Sequence, residues 1–226
     1  MHFPQACLFD LDGVLLDTEG LHSEAWLRTA AIFGTKLSED QLLKLKGQRR
    51  IDCAKQIVKW TKKELNNEDI LKVHQPISRT LMTRVKGVPG AEDLIKWCSL
   101  NNLPMALVTS SSSSSVDRKS ESNVWLKLIK TRVYGDDSEL ERGKPAPDPY
   151  LLAASKLMAN PQSCWALEDS SSGTKSALLA GCQVWVLDPL NKVSPKNHTK
   201  NNMSNLYRIN HLNQFLLELK QCNRDI

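Results

Sequence analysis

The sequence has no apolar run close to the 18 or so residues that a membrane-spanning helix needs, so no transmembrane segment is expected. It has no CxxC pair either. Its 6 cysteines, Cys7, Cys53, Cys98, Cys164, Cys182 and Cys222, stand far apart. Such spacing builds neither a zinc site nor a disulfide framework, and it reads as reduced core thiols in a cytoplasmic protein. The N-terminal apolar run is short, stops at Asp10 and has no Lys or Arg before it, so a secretory signal is not expected. Aromatic residues are few, at 6%, and none interleave with a dense basic run, as a single-strand nucleic-acid groove would require. The net charge of +5 is too mild to imply a nucleic-acid partner, although it suits an anionic substrate.

The remaining composition is that of an ordinary folded chain. With 41% apolar and 24% charged among 226 residues, it can form one domain carrying an inserted subdomain. Short apolar runs at Ala6 to Leu11, Pro104 to Thr109, Thr131 to Tyr134, Cys164 to Leu167 and Gln183 to Leu187 read as strands. Helical periodicity occupies Ala91 to Leu100, Val116 to Ile129, Pro149 to Leu157 and Gly173 to Ala180. This alternation predicts an α/β fold, a doubly wound parallel sheet of Rossmann-like type with helices on both faces. Thr18 to Lys86 breaks the rhythm, with amphipathic patterns at Leu21 to Phe33, Glu39 to Leu45, Ile51 to Trp60 and Ile70 to Val85 and no strand. We expect residues 18–87 to form an α-helical cap subdomain inserted into a core of residues 1–17 and 88–226. Gly87-Val88-Pro89-Gly90 would be its return hinge. Pro189 to Asn205 reads as a polar loop and Leu212 to Cys222 as a closing helix.

In an open parallel sheet, ligands bind beyond the carboxyl ends of the strands. Asp10 and Asp12, Thr109 and Ser110, and Glu168 and Asp169 stand there, and Lys144 lies in a turn-rich loop placed to reach the same edge. By composition alone, the six serines from Ser110 to Ser115 would be a linker. Between a buried strand and a helix they read instead as a phosphate-binding turn. Four carboxylates around one lysine repel each other unless a cation joins them, and hard oxygen ligands suit Mg²⁺. Adding a phosphate dianion still leaves a negative surplus. One Asp is therefore expected to be protonated when substrate binds, as a general acid must be.

These residues carry a resemblance to a known family. The segment from Phe9-Asp10-Leu11-Asp12-Gly13 to Glu19 resembles the first motif of the haloacid dehalogenase-like (HAD) hydrolase superfamily. Val108-Thr109-Ser110-Ser111 resembles its second motif. Gly135-Asp136-Asp137 with Gly143-Lys144-Pro145 resembles the third, and Leu167-Glu168-Asp169-Ser170 the fourth. The helical stretch between the first two is similar to the cap of the beta-phosphoglucomutase and sugar-phosphatase-like branch. The resemblance implies that Asp10 is a nucleophile forming an aspartyl-phosphate, and that Asp12 is the general acid and then the base. It implies Thr109 and Lys144 on the transferring phosphoryl group, and Mg²⁺ held by Asp10, the Asp12 backbone carbonyl, Glu168 and Asp169. Asp12 also favours phosphoryl transfer over carbon–halogen cleavage, since dehalogenases of this fold lack an aspartate there. In the cap, His22 at the first hinge matches a residue that contacts the acid/base. Lys46, Gly47 and Arg50 match a Lys-Gly-x-x-Arg segment that, in beta-phosphoglucomutases, contacts the substrate's distal phosphate.

The preferred reading is a Mg²⁺-dependent phosphatase of small phosphorylated metabolites, sugar phosphates above all, working through an aspartyl-phosphate. A beta-phosphoglucomutase-like mutase is the alternative, distinguished by whether water or a sugar hydroxyl accepts the phosphoryl group. A catalytically silent binding protein on the same fold is the third reading, and the intact set of Asp10, Asp12, Lys144 and Asp169 argues against it. The expected partner is a small phosphorylated substrate, with no nucleic acid and no membrane. The chain is expected to be a monomer or a small homo-oligomer.

Overall fold

The computed structural model describes residues 2–61, 64–188 and 205–224. Its first apolar run forms β1, Ala6–Phe9, with all four residues buried. A strand buried on both faces needs neighbours on both edges, and β1 finds them in β2, Met105–Val108, and β4, Cys164–Glu168. With β3, Thr131–Val133, β5, Gln183–Leu187, and β6, Leu206–Ile209, they form a parallel sheet in the order β3-β2-β1-β4-β5-β6. Phe9 pairs with Leu107 on one side and Leu167 on the other. The carboxyl ends of β1, β2 and β4 therefore finish side by side, and the residues just beyond them must meet.

Helices cover both faces, as parallel sheets require. On one face Phe9, Leu107, Trp165 and Trp185 pack with residues of α5, Ala91–Leu100, and α9, Leu212–Arg224. Phe215 of α9 meets the rings of Phe9, Trp165 and Trp185 edge-on at centroid distances of 6.2, 5.7 and 5.4 Å. Such pairs add to the area they bury. The other face is small: Ala6, Ala106 and Ala166 admit α7, Asp148–Lys156, and α8, Ser171–Leu179, close to the sheet. The helix α6, Ser113–Glu121, follows β2 and packs Val116 into the first face, with Phe9 and Leu107. All 6 cysteines are buried.

Between β1 and α5 the chain folds into α1, Glu19–Ile32, α2, Glu39–Leu45, α3, Arg50–Trp60, and α4, Asn67–Leu81. Side-chain caps start two of them: Ser38 with Gln41, and Asn66 with Asp69, each bond the other's backbone N–H. Trp26, Ala30, Leu37, Leu45, Cys53, Ala54, Ile57 and Ile70 make a core of their own, with Trp60 packed at its edge. The two connecting segments run together, Asp17 N–H donating to Lys86 O and Val88 N–H to Leu15 O. No described helix is long and apolar enough to cross a membrane.

The structure departs from the sequence reading in four places. β1 stops at Phe9 because Leu15 and Leu16 N–H groups fold back onto Leu11 O and close a loop. The helix expected over Val116 to Ile129 is two pieces, α6 and a 3₁₀ turn at Val124–Leu128. Asn123 breaks it: with φ at −127° its side-chain amide donates to Lys119 O and to Val85 O on a distant segment. The pattern expected over Ile70 to Val85 begins earlier, at the Asn66 cap, and ends in a 3₁₀ turn at Met82–Arg84. The edge strand β6 is new, pairing Leu206 with Val184 and Ile209 with Leu187. The polar stretch from Pro189 to Asn205 lies, except for Asn205, outside the described residues.

His74 of α4 is buried, stacked on Trp26 with ring centroids 3.6 Å apart. Burial, reinforced by the Arg50 charge, pushes its pKa down to about 3, so it stays neutral in the folded chain. The unfolded chain takes up a proton near pH 6.5 and the folded chain does not. Stability should therefore fall by up to about 1.4 kcal/mol per pH unit as pH drops from about 6.5 towards 3. His74→Gln should flatten that part of the curve in urea titrations, and an unchanged slope would contradict the assignment.

Candidate active site

Asp10 follows β1 directly, and its N–H donates to Leu167 O at 3.0 Å, which holds it on the sheet edge. Lys144 arrives from the loop before α7 with its ammonium buried. It donates to Asp10 Oδ1 at 2.6 Å, Val108 O at 2.9 Å and Glu168 Oε1 at 2.5 Å. Glu168 ends β4 and is fully buried; it also accepts from Tyr150 Oη at 2.6 Å and, through Oε2, from Ser170 Oγ at 3.2 Å. Burial would pull the Lys144 ammonium down, but Asp10 and Glu168 outweigh it and hold it above the usual lysine range. Burial pushes the Asp10 carboxyl up; Lys144 opposes this, and Glu168 and Asp169 add to it.

Asp12 occupies a second polar cluster. Its Oδ1 accepts from Thr18 Oγ1 at 2.7 Å and from the buried ammonium of Lys119, and His22 Nε2 lies 3.1 Å away. Its Oδ2 accepts from Ser111 Oγ at 2.7 Å. Burial raises the Asp12 pKa, but Lys119 and then His22 outweigh it and hold the carboxyl well below the usual range. Gly13 makes the turn that sets Asp12 beside Asp10: its φ is +88°, and a Cβ there would fall 1.9 Å from Asp169 Oδ2.

The expected site residues meet here. Thr109 is buried at the end of β2 and its Oγ1 accepts from Ser111 N–H at 3.0 Å. Ser110 Oγ donates to Gly47 O at 2.9 Å, and Lys46 Nζ lies 3.0 Å from Asp169 Oδ2. The cap loop thus rests on the strand ends. It lies so close that a Cβ on Gly47 would fall 2.2 Å from Ser170 Oγ. A cavity of about 690 Å³ separates cap from core, lined by Asp10, Asp12, Thr109 and Ser110 below and by His22, Trp26, Lys46, Gly47, Arg50 and Gln75 above. The sequence reading gave no role to Lys119, Ser111, Thr18 or Tyr150. Lys119 had a signal, since it follows buried Val116 by one helical turn and so falls on the inward face of α6.

Asp10, Glu168 and Asp169 are all buried and offer carboxylate oxygens within 4.8 Å of one another. Three carboxylates against Lys144 and Lys46 leave a negative surplus, and an all-oxygen donor set of that kind suits a hard divalent cation. These residues can hold a metal ion.

A doubly wound sheet with carboxylates, a lysine and hydroxyls gathered at its strand ends under a helical cap defines the class, a capped α/β hydrolase. The family model for haloacid dehalogenase-like hydrolases matches residues 7–187, and the chain belongs to that family. It is 33% identical over 196 residues to the probable pseudouridine-5'-phosphatase of Saccharomyces cerevisiae, covering 82% of this chain and 83% of that protein. It is also 33% identical over 189 residues to (DL)-glycerol-3-phosphatase 2 of Arabidopsis thaliana, covering 80% of this chain and 79% of that one. Of the bifunctional riboflavin kinase/FMN phosphatase of Arabidopsis thaliana, 29% identical, the chain spans 48% of the length. Among solved structures, beta-phosphoglucomutase from Clostridium difficile superposes with a TM-score of 0.79 over 98% of both chains, at 22% identity. That likeness speaks for the fold. The named relatives by sequence are phosphatases, and phosphatase is the enzyme class of this chain.

Gly13→Ala should strain the backbone by about 1–2 kcal/mol and push Asp169 aside. The expected result is a lower melting temperature together with loss of the stabilisation that a divalent cation gives the parent chain. A variant that keeps the full cation-dependent shift would contradict the placement of Asp169.

Proposed function

We propose that this chain is a Mg²⁺-dependent phosphatase of small phosphorylated metabolites that works through an aspartyl-phosphate on Asp10. Residues 1–17 and 88–226 form its catalytic core and 18–87 its cap. The observation that carries the reading is the buried Lys144 ammonium fixing Asp10 at the mouth of a cavity that Asp12 shares. With Oδ1 engaged by Lys144, Asp10 attacks phosphorus through Oδ2. The ester P–O bond breaks, and Asp12 gives its proton to the leaving oxygen. Lys119 and His22 keep Asp12 ionised in the free enzyme. An arriving phosphate dianion acts in the opposite sense and favours the protonated acid that the first step uses. Asp12, ionised again, takes a proton from water as that water attacks the acyl phosphate, which releases inorganic phosphate and restores Asp10.

Asp10, Glu168 and Asp169 would hold the Mg²⁺, with the Asp12 carbonyl beside them. When bound, Mg²⁺ neutralises charge between the nucleophile and the phosphoryl oxygens. Thr109 and Ser110 would contact the phosphoryl group from the β2 end, and Lys144 its charge. From the cap, His22, Lys46, Gly47 and Arg50 would read the rest of the substrate. Glycerol phosphate and pseudouridine 5'-phosphate, named for two relatives, are both esters of a primary alcohol on a hydroxylated carbon skeleton. That supports sugar and polyol phosphates as the substrate class.

Phosphate release from a panel of sugar, polyol and nucleoside monophosphates, with Mg²⁺ and with EDTA, tests the proposal. Release should require the cation, and Asp10→Asn or Asp12→Asn should lower it by about 10³-fold or more. Near-normal turnover in either variant would sink the mechanism. An isomerised sugar phosphate with little free phosphate would point to a mutase instead. Lys119→Met should lower kcat by about tenfold or more with little change in KM, because it loosens Asp12 rather than substrate. A change confined to KM would contradict that role.

A further inference from the structure

Leu71, His74 and Gln75 are spaced i, i+3 and i+4 on α4, so one face of that helix forms a wall of the main cavity. His74 is the most buried of the three, with 1% of its surface exposed. Its ring lies flat on Trp26, at an interplanar angle of 8°. Its Nδ1 stands 3.2 Å from Thr29 Oγ1. Trp26 and Thr29 both belong to α1, which therefore fixes the ring on one face and along one edge.

The Thr29 contact decides which ring nitrogen carries the proton. Thr29 Oγ1 donates its single proton to Ala25 O at 2.7 Å. Towards His74 it can then only accept, so Nδ1 is the protonated nitrogen and Nε2 carries a lone pair. The Ala25 carbonyl, which raises the pKa of the ring, is a second acceptor for that proton. Burial wins all the same and pushes the pKa down to about 3, and Arg50 and His22, which line the same cavity, act in the same sense. The ring is thus neutral at neutral pH, and Nε2 stays a hydrogen-bond acceptor. Among the described residues no donor bonds Nε2. A buried acceptor without a partner is costly, and a phenylalanine would stack on Trp26 without that cost. A donor on the molecule that fills the cavity accounts for the imidazole.

We propose that His74 is a specificity-determining residue, whose Nε2 accepts a hydrogen bond from a hydroxyl or N–H group on the part of the substrate beyond the phosphate ester. This role rests on the phosphatase reading of the same cavity, in which the strand ends hold the phosphate and the cap meets the remainder. A leaving group with a donor at the α4 wall satisfies Nε2. One with a methylene group there leaves a buried acceptor unpaired, which is the situation in which binding sites discriminate most strongly. Because Trp26 and Thr29 hold the ring, the donor must come to a fixed point.

Matched phosphate esters test the role: glycerol 3-phosphate with 3-hydroxypropyl phosphate, ribose 5-phosphate with 2-deoxyribose 5-phosphate, and uridine 5'-monophosphate with its 3-methyl derivative, in which a ring N–H is blocked. In the parent, kcat/KM should favour the donor-bearing member of at least one pair by about tenfold or more. His74→Phe should erase that preference by lowering kcat/KM for the donor-bearing member alone. His74→Gln, whose amide oxygen can stand where Nε2 was, should keep part of it, which separates a lost acceptor from a lost fold. The tautomer is read without turnover: long-range proton–nitrogen correlation spectra of the full chain at neutral pH should show His74 protonated at Nδ1 and bare at Nε2. A parent that treats every pair alike overturns the proposal. So does a His74→Phe variant that keeps the preference or loses both members equally, and so does a proton on Nε2. Phosphate release that survives Asp10→Asn counts against the phosphatase mechanism instead, and the tautomer then decides the role of His74 by itself.

Discussion

The Lys144 ammonium, buried between Asp10 and Glu168, is the interaction on which the rest of the site depends. A lone ammonium at that depth would be far too costly, and so would either carboxylate without it. Three strands and one loop must therefore be in register before the charges can be buried. β1 supplies Asp10, β2 the Val108 carbonyl and β4 Glu168, with Lys144 closing the set from the loop before α7. The pairing of Phe9 with Leu107 and Leu167 is what makes those groups neighbours. Removing one member would leave the others buried and unpaired, so folding and site assembly are one event here.

The cap is joined to this centre through residues to which the proposed mechanism gives a role. Lys46 reaches Asp169, Ser110 reaches the Gly47 carbonyl, and His22 reaches Asp12. Each contact links a cap element to a strand end, so a shift of the cap is felt at both carboxylate clusters. The cavity they enclose is polar towards the core and mixed towards the cap, where Trp26, Leu42 and Leu71 alternate with His22, Gln48 and Arg50. A phosphate would be fixed from below and the remainder of the substrate judged from above.

Much of this could be read in the sequence because the signals are local. Gln183 to Leu187, Glu39 to Leu45 and Ala91 to Leu100 are apolar or amphipathic runs bounded by turn residues, and all three fold over the stretches expected. Asp10, Asp12, Glu168 and Asp169 could be placed because strand ends in a parallel sheet converge. What stayed hidden depends on distant partners. The break after α6 is made by Asn123 bonding Val85 O, 38 residues away. β6 is a four-residue edge strand whose exposed Arg208 obscures its period. Lys119 looks like any surface lysine until α6 turns it onto Asp12, 107 positions earlier in the chain.

The central claim is that Asp10 carries the phosphoryl group, and trapping that intermediate tests it most directly. Acid quench of the enzyme turning over a phosphate-labelled substrate, followed by peptide mapping, should find the label on the peptide containing Asp10. It should be absent from Asp10→Asn, and in Asp12→Asn it should accumulate from a labelled acyl phosphate, whose leaving group needs no proton, because the base of the second step is lost. Phosphate release with no labelled protein at any quench time, or with the label on another residue, would contradict the account.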